Sequence, residues 1–288
     1  MPMWNRCAQA ARSAGDPREG SAPPAQRWLL IEHPGPWGFN ALTDSGLPPA
    51  VVTALSEWAA AEGARIALVR RPGRRPVTRA RRWFRVDSRQ GRESIRTGTA
   101  ESDDELTAAL HATGETVAEP LNLVCTHGRH DPCCAVHGRA VASALAEANP
   151  ATTWECSHVG GCRFAPAVIL LPHGYVLGGT TVAEATAAAL NYRAGTLDPH
   201  GTRGRSSLPP AAQAAEHYAR IATGNEHLDA LRLLRAAPGG DGHWHVQLAN
   251  PDCTVQLRER WVEVDRPLTC AATSPGRMRV FDLLALNQ

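Results

Sequence analysis

The chain has 288 residues, 43% hydrophobic and 20% charged, with 25 glycines, 22 prolines and a formal net charge of +2. That length supports one large domain or two smaller ones, each with its own core. The composition excludes a coiled coil or a disordered chain, and no apolar run approaches the roughly 18 residues of a transmembrane helix. All 30 basic residues are arginine, which together with the alanine richness reads as coding bias and carries no chemistry.

In chain order, residues 1–26 mix Arg, Ser, Gly and Pro with Asp16 and Glu19 and hold no continuous apolar segment. A secretory signal is not expected there; a flexible tail over 1–26 and a cytoplasmic location are. Residues 28–32 predict a strand, followed by a Pro/Gly-rich loop and a helix carrying Val51, Val52, Leu55, Trp58 and Ala59 on one face. Strands are expected at 66–69, 83–86 and 94–97, then a helix beginning at Ser102 with Glu105 as its capping-box partner. The order then repeats: a strand at 121–124, a cysteine-rich loop, a helix with Ala140, Val141, Ala144 and Leu145 on one face, and a strand at 153–156. A hairpin pairs 168–171 with 175–177, and a last helix is capped by Thr181 and Glu184.

The chain thus spells β-α-β-β-β-α twice. It predicts an α/β fold of two thioredoxin-like units in tandem, 27–115 without ligands and 116–200 with them. Residues 201–210 read as a polar linker, 211–234 as helical, and the remainder as a small β-rich C-terminal appendage within 201–288.

Eight cysteines in a chain with no export signal point to metal or redox use over a disulfide framework. Cys125, Cys133, Cys134, Cys156 and Cys162 are concentrated, whereas Cys7, Cys253 and Cys270 are scattered. Cys125 follows a buried-looking strand, and Cys134 stands at a helix entrance after eight intervening residues. His158 follows after 23 more, and three residues separate it from Cys162 in the turn His158-Val159-Gly160-Gly161-Cys162. In a βαβ arrangement both loops emerge at one sheet edge, which brings Cys125, Cys134, His158 and Cys162 together. Four such soft ligands suit an iron–sulfur cluster or zinc.

The run from His158 to Pro166 resembles the second ligand loop of thioredoxin-like [2Fe-2S] ferredoxins. More closely, Cys125-Thr126-His127-Gly128, Asp131, Cys134, Trp154 and Ser157-His158-Val159-Gly160-Gly161 resemble the sucrase/ferredoxin-like family. The likeness is strong over 118–195 and looser over 28–38, where Trp37-Gly38 closes the matching run. The resemblance implies a [2Fe-2S] cluster on Cys125, Cys134 and His158. Characterised members carry a second histidine where Cys162 stands, so here either three cysteines and one histidine hold the cluster or the fourth ligand lies elsewhere. On the first reading Cys125 and Cys134 hold one iron, and His158 and Cys162 hold the other, nearer solvent. Nothing supports glycoside chemistry, because no motif places a pair of acids for it.

Three thiolates and a neutral imidazole leave the oxidised site at −1, between the −2 of four thiolates and the zero of two histidines. The expected potential therefore falls between the roughly −400 mV of plant-type clusters and the roughly −150 to +300 mV of Rieske centres. An outer His158 nitrogen open to solvent would couple electron uptake to a proton.

Alternative roles stand beside these. A zinc site could join the two loops of a binding or scaffold protein. Cys133 could replace Cys134, though a buried bystander thiol fits it better. Cys156 shares a strand face with His158 but suits a small apolar role. His127 and His130 read as solvated or supporting residues, and His243 and His245 as an exposed strand face. No Cys-x-x-Cys dithiol occurs. Between Arg70 and Arg96 lie eleven arginines against Asp87 and Glu93, a net +9 that leaves −7 elsewhere. Such a strip favours an acidic redox partner, a reductase or ferredoxin. Nucleic acid would also fit, with the metal site then structural, but no recognised binding motif accompanies the strip. No nucleotide or flavin fingerprint occurs, so an electron carrier is expected in place of a self-contained enzyme.

Overall fold

The computed structural model describes residues 6–73 and 80–288. The first half runs β1 (Arg27–Glu32), α2 (Pro49–Ala61), β2 (Ala64–Arg70), β3 (Arg81–Asp87), β4 (Ser94–Ala100) and α3 (Asp103–Ala108), preceded by α1 (Cys7–Ser13). After the two-residue β5 (Glu115–Thr116), the second half runs β6 (Leu121–Cys125), α4 (Pro132–Ala148), β7 (Thr153–Cys156), β8 (Ala167–Leu171), β9 (Tyr175–Gly178) and α5 (Val182–Arg193). Both halves follow the β-α-β-β-β-α order that the periodicity predicts. Thr181 and Glu184 form the expected reciprocal capping box.

Pairing makes the repetition explicit. In the first half β1 is parallel to β2 and antiparallel to β3, which pairs with β4; in the second, β6 is parallel to β7 and antiparallel to β8, which pairs with β9. The halves meet edge to edge through β2 and β7, and the whole is one ten-stranded sheet. The joint is short, with Val69 opposite Cys156 and Arg70 opposite Glu155. It is extended by Ser157, whose N–H donates to the Leu68 carbonyl at 2.8 Å while its hydroxyl accepts from the Leu68 N–H at 3.0 Å. Arg70 and Glu155 close it with a 2.7 Å ion pair at 13% and 9% side-chain exposure.

Strand alternation sends side chains to two faces. Leu29, Ile31 and Leu68 pack under α2 and α3, and Val124, Val168 and Leu170 pack under α4 and α5. The other residues of the same strands, Trp28, Leu30, Phe84, Leu123, Trp154 and Ile169, form one cluster shared by both halves, and the thiols of Cys125, Cys134 and Cys162 belong to it.

Three expectations need correction. Residues 6–26 are not a loose tail: Cys7, Ala8 and Ala11 are buried on one side of α1, and Ala22 and Ala25 are buried further on. The polar stretch after residue 201 is not a linker, because β10 (Thr202–Arg205) pairs antiparallel with β9 as the sheet's edge strand. Helix α6 (Pro210–Thr223) stops at Gly224, which takes the left-handed conformation at φ 64° that ends helices. Residues 232–234, the end of the stretch expected to be helical, instead open β11 (Arg232–Pro238).

That strand opens a four-stranded antiparallel sheet with β12 (His243–Ala249), β13 (Cys253–Val264) and β14 (Gly276–Asn287). Its Val246, Leu248, Val255, Leu257 and Phe281 pack on the alanine face of α6, giving the β-rich end its core. His245 is exposed on β12.

Of the basic strip, Arg74, Arg75 and Arg79 lie outside the described residues. Others are engaged within the chain: Arg70 with Glu155 and over the Trp37 ring, Arg71 with three carbonyls between Pro150 and Thr153, and Arg89 with Asp87. Among the described residues no helix is long and apolar enough to cross a membrane.

Gly138 lets α4 approach β6. A Cβ built there would lie 2.2 Å from the Cys125 carbonyl oxygen. In a free helix Gly→Ala gains about 1 kcal/mol; here Gly138→Ala must push the helix off the strand that carries Cys125. The expected result in urea unfolding is a loss of roughly 1–3 kcal/mol, the usual range for overpacking.

Candidate metal centre

The first loop leaves β6 at Cys125 and enters α4. Asp131 is its N-cap, with Oδ1 accepting from the Cys133 N–H at 2.9 Å, and Pro132 occupies the first turn. Cys133 and Cys134 therefore stand where the helix dipole and free N–H groups favour thiolates. The second loop leaves β7 at Cys156. Gly160 and Gly161 take φ of 101° and 76°, and Cys162 begins a short 3-10 turn. A Cβ at Gly161 would fall 2.3 Å from the guanidinium of Arg203. Arg203 comes from β10, is 2% exposed, and donates to the Gly160 carbonyl at 2.9 Å and to the Ser21 carbonyl. A buried cation thus underlies the second loop.

These loops bring the four predicted side chains together. The donor atoms of Cys125, Cys134 and His158 lie within 4.8 Å of one another, as do those of Asp131, Cys134 and Cys162. Cys162 Sγ is 3.5 Å from His158 Nδ1. The three cysteines are buried and His158 is the least buried of the four. Cys133 does not join them; its thiol points to Cys7 and Cys270 instead. Cys156, fully buried, places its thiol against Cys125.

Without a metal these groups share protons. Thiols of Cys134 and Cys156 donate to Cys125 and hold it well below the usual thiol range, while Cys134 is pushed up by the same pairing. Cys162 is lowered to about 7, chiefly by its hydrogen bond with Cys134. Burial alone would lower His158, but hydrogen bonds with Cys125 and Cys162 outweigh it and raise the imidazole to about 9. Donors that satisfy one another through shared protons are suited to exchange those protons for a metal.

Both nearby histidines support His158. His130 stacks on it with centroids 3.6 Å apart, and its Nδ1 meets the Phe39 carbonyl at 3.1 Å. His127 Nδ1 accepts from the His158 N–H at 3.1 Å, so its proton sits on Nε2 and is donated to the Gly38 carbonyl at 2.6 Å. Burial lowers its pKa, which keeps it neutral and able to accept. The loop after β1 thereby reaches across to the second half, through Gly38, the last residue of the 28–38 run that the sequence marked only loosely, and Phe39 next to it. Sequence reasoning missed Arg203, whose polar surroundings suggested a linker, and the gathering of Cys7, Cys133 and Cys270, for which no local pattern exists.

His127→Ala removes the acceptor that fixes the His158 backbone. Retention of bound metal against a chelator should weaken by about 10- to 100-fold, the usual effect of losing a ligand's supporting partner; unchanged retention would show that His127 does not position the loop.

No curated protein and no solved structure matches the chain. A family model does, over residues 19–225, which include both cysteine-bearing loops and the whole ten-stranded sheet, and by that match the chain belongs to the sucrase/ferredoxin-like family.

Proposed function

We propose that this protein is a [2Fe-2S] electron carrier whose cluster is held by Cys125, Cys134, His158 and Cys162. The observation that supports the reading is the meeting of three buried thiols and one imidazole at the ends of β6 and β7, in a chain of a ferredoxin-like family. A cluster bound there would supply one-electron chemistry. The chain's own contribution is electrostatic and geometric. Two glycines and a 3-10 turn present Cys162, and the α4 N-terminus and the buried Arg203 offset thiolate charge, which favours taking up an electron. His158, stacked under His130 and held by His127, keeps the least buried position among the donors, so an electron entering from a partner would pass on that side. The reading includes a redox partner with an acidic face, for which residues 70–96 supply the net +9. It also places the protein in the cytoplasm.

A zinc site on the same four residues is the second reading, because the donor types suit it too. One sample separates them. Anaerobically purified protein should show visible absorption, a rhombic EPR signal on reduction, and two irons and two acid-labile sulfides per chain. Colourless protein with zinc on these four residues would establish the scaffold reading instead. In the iron form, His158→Cys adds a negative charge to the donor set and should lower the potential by on the order of 100 mV, moving it toward the plant-type range. A potential that does not fall in protein electrochemistry would remove His158 from the ligand set.

A further inference from the structure

We propose that Cys7, Cys133 and Cys270 form a second metal site, a three-thiolate site for Zn²⁺ completed by the carboxylate of Asp131. The three thiols come from separate parts of the chain: the start of α1, the first turn of α4 and the connection between β13 and β14. Cys133 Sγ is 3.4 Å from Cys270 Sγ, which is 3.5 Å from Cys7 Sγ. Asp131 lies 3.6 and 3.8 Å from Cys7 Sγ through its two oxygens, and all four donor atoms fall within 4.8 Å of one another. Tetrahedral zinc with sulfur at about 2.3 Å requires sulfurs about 3.8 Å apart. The observed spacings are within a few tenths of that, and far from the roughly 2.05 Å of a disulfide.

The surroundings are built for the meeting. Asp131 and Cys133 are fully buried and Cys7 nearly so. The Asp131 carboxylate accepts from the Cys133 N–H through Oδ1 and from the Cys270 N–H through Oδ2, both at 2.9 Å, which fixes the backbone of two donors and orients the third group. A second carboxylate, Asp16, anchors the same segments: it pairs with Arg163 at 3.4 Å and with Arg266, four residues before Cys270. The incoming Zn²⁺ displaces three thiol protons to solvent, which takes the group from −1, with thiols and one carboxylate, to −2 with the metal bound, in a place where the α4 N-terminus favours negative charge. Zinc is redox-inert, so the site's work is structural: it clamps the turn that presents Cys134, one residue from Cys133. Cys7 and Cys270 lie outside residues 19–225, the part that the family model matches, so this chain's flanking segments supply two of the three sulfurs.

Iron, sulfide and zinc counted on one sample of full-length protein from zinc-supplemented cells test the proposal. The expected result is one zinc per chain, and zinc-edge X-ray absorption showing three sulfurs at about 2.3 Å and one lighter donor. Cys270 is exposed in its loop, which makes Cys270→Ser the variant least harmful to folding. It should weaken zinc retention against a chelator at least about tenfold and leave iron and sulfide unchanged, while Cys253→Ser, outside both groups, leaves zinc in place. Zinc missing from the wild type, zinc indifferent to Cys270→Ser but lost with Cys125→Ser, or a Cys7–Cys270 disulfide in peptide mapping would each overturn the site. Zinc that responds to Cys270→Ser in a protein without iron would uphold this site while removing the proposed cluster, so the two readings fail separately.

Discussion

Successive side chains of an α-helix point about 100° apart, and the first turn of α4 depends on that constraint. Cys133 and Cys134 are adjacent, so they cannot face the same small group. Asp131 caps the helix through the Cys133 N–H, which fixes the rotation of the turn and sends Cys134 toward Cys125 and Cys162 and Cys133 toward Cys7 and Cys270. Asp131 lies within reach of both gatherings. One capping residue therefore sets the direction of two neighbouring thiols and borders both groups that they enter.

Around this turn the fold supplies rigidity from three directions. Beneath it, Gly138 allows α4 to rest on the end of β6. Beside it, β10 places the Arg203 guanidinium under the Gly160-Gly161 turn, where a side chain on Gly161 would collide with it. Across it, the loop after β1 in the first half reaches His127 and His130 through Gly38 and Phe39. The first half contributes none of the side chains of the Cys125–Cys134–His158–Cys162 group, and its part in the site is this cover together with the Arg70–Glu155 closure of the joint.

Much of this was legible in the sequence because the relevant signals are local. Alternation and capping, as at Thr181 and Glu184, marked both β-α-β-β-β-α runs, and the spacing of Cys125, Cys134, His158 and Cys162 marked the residues that meet. The failures were of two physical kinds. Arg203 and Arg205 made β10 look like a solvated linker, since a buried arginine is indistinguishable from an exposed one until its carbonyl and carboxylate partners are known. Cys7 and Cys270 looked scattered because 263 positions separate them, and no periodicity spans such a distance. In residues 6–26 the buried alanines at 8 and 11 were too few to outweigh the polar composition.

The spread of the donors along the chain also sets an order of assembly. Cys125 to Cys162 form a compact block, whereas the group around Cys133 is complete only with Cys270. A growing polypeptide leaves the ribosome N-terminus first, so the inner quartet becomes available while the last two strands are still to be made. Cys133 is then exposed beside it without its later partner, which makes premature pairing of neighbouring thiols a hazard of synthesis.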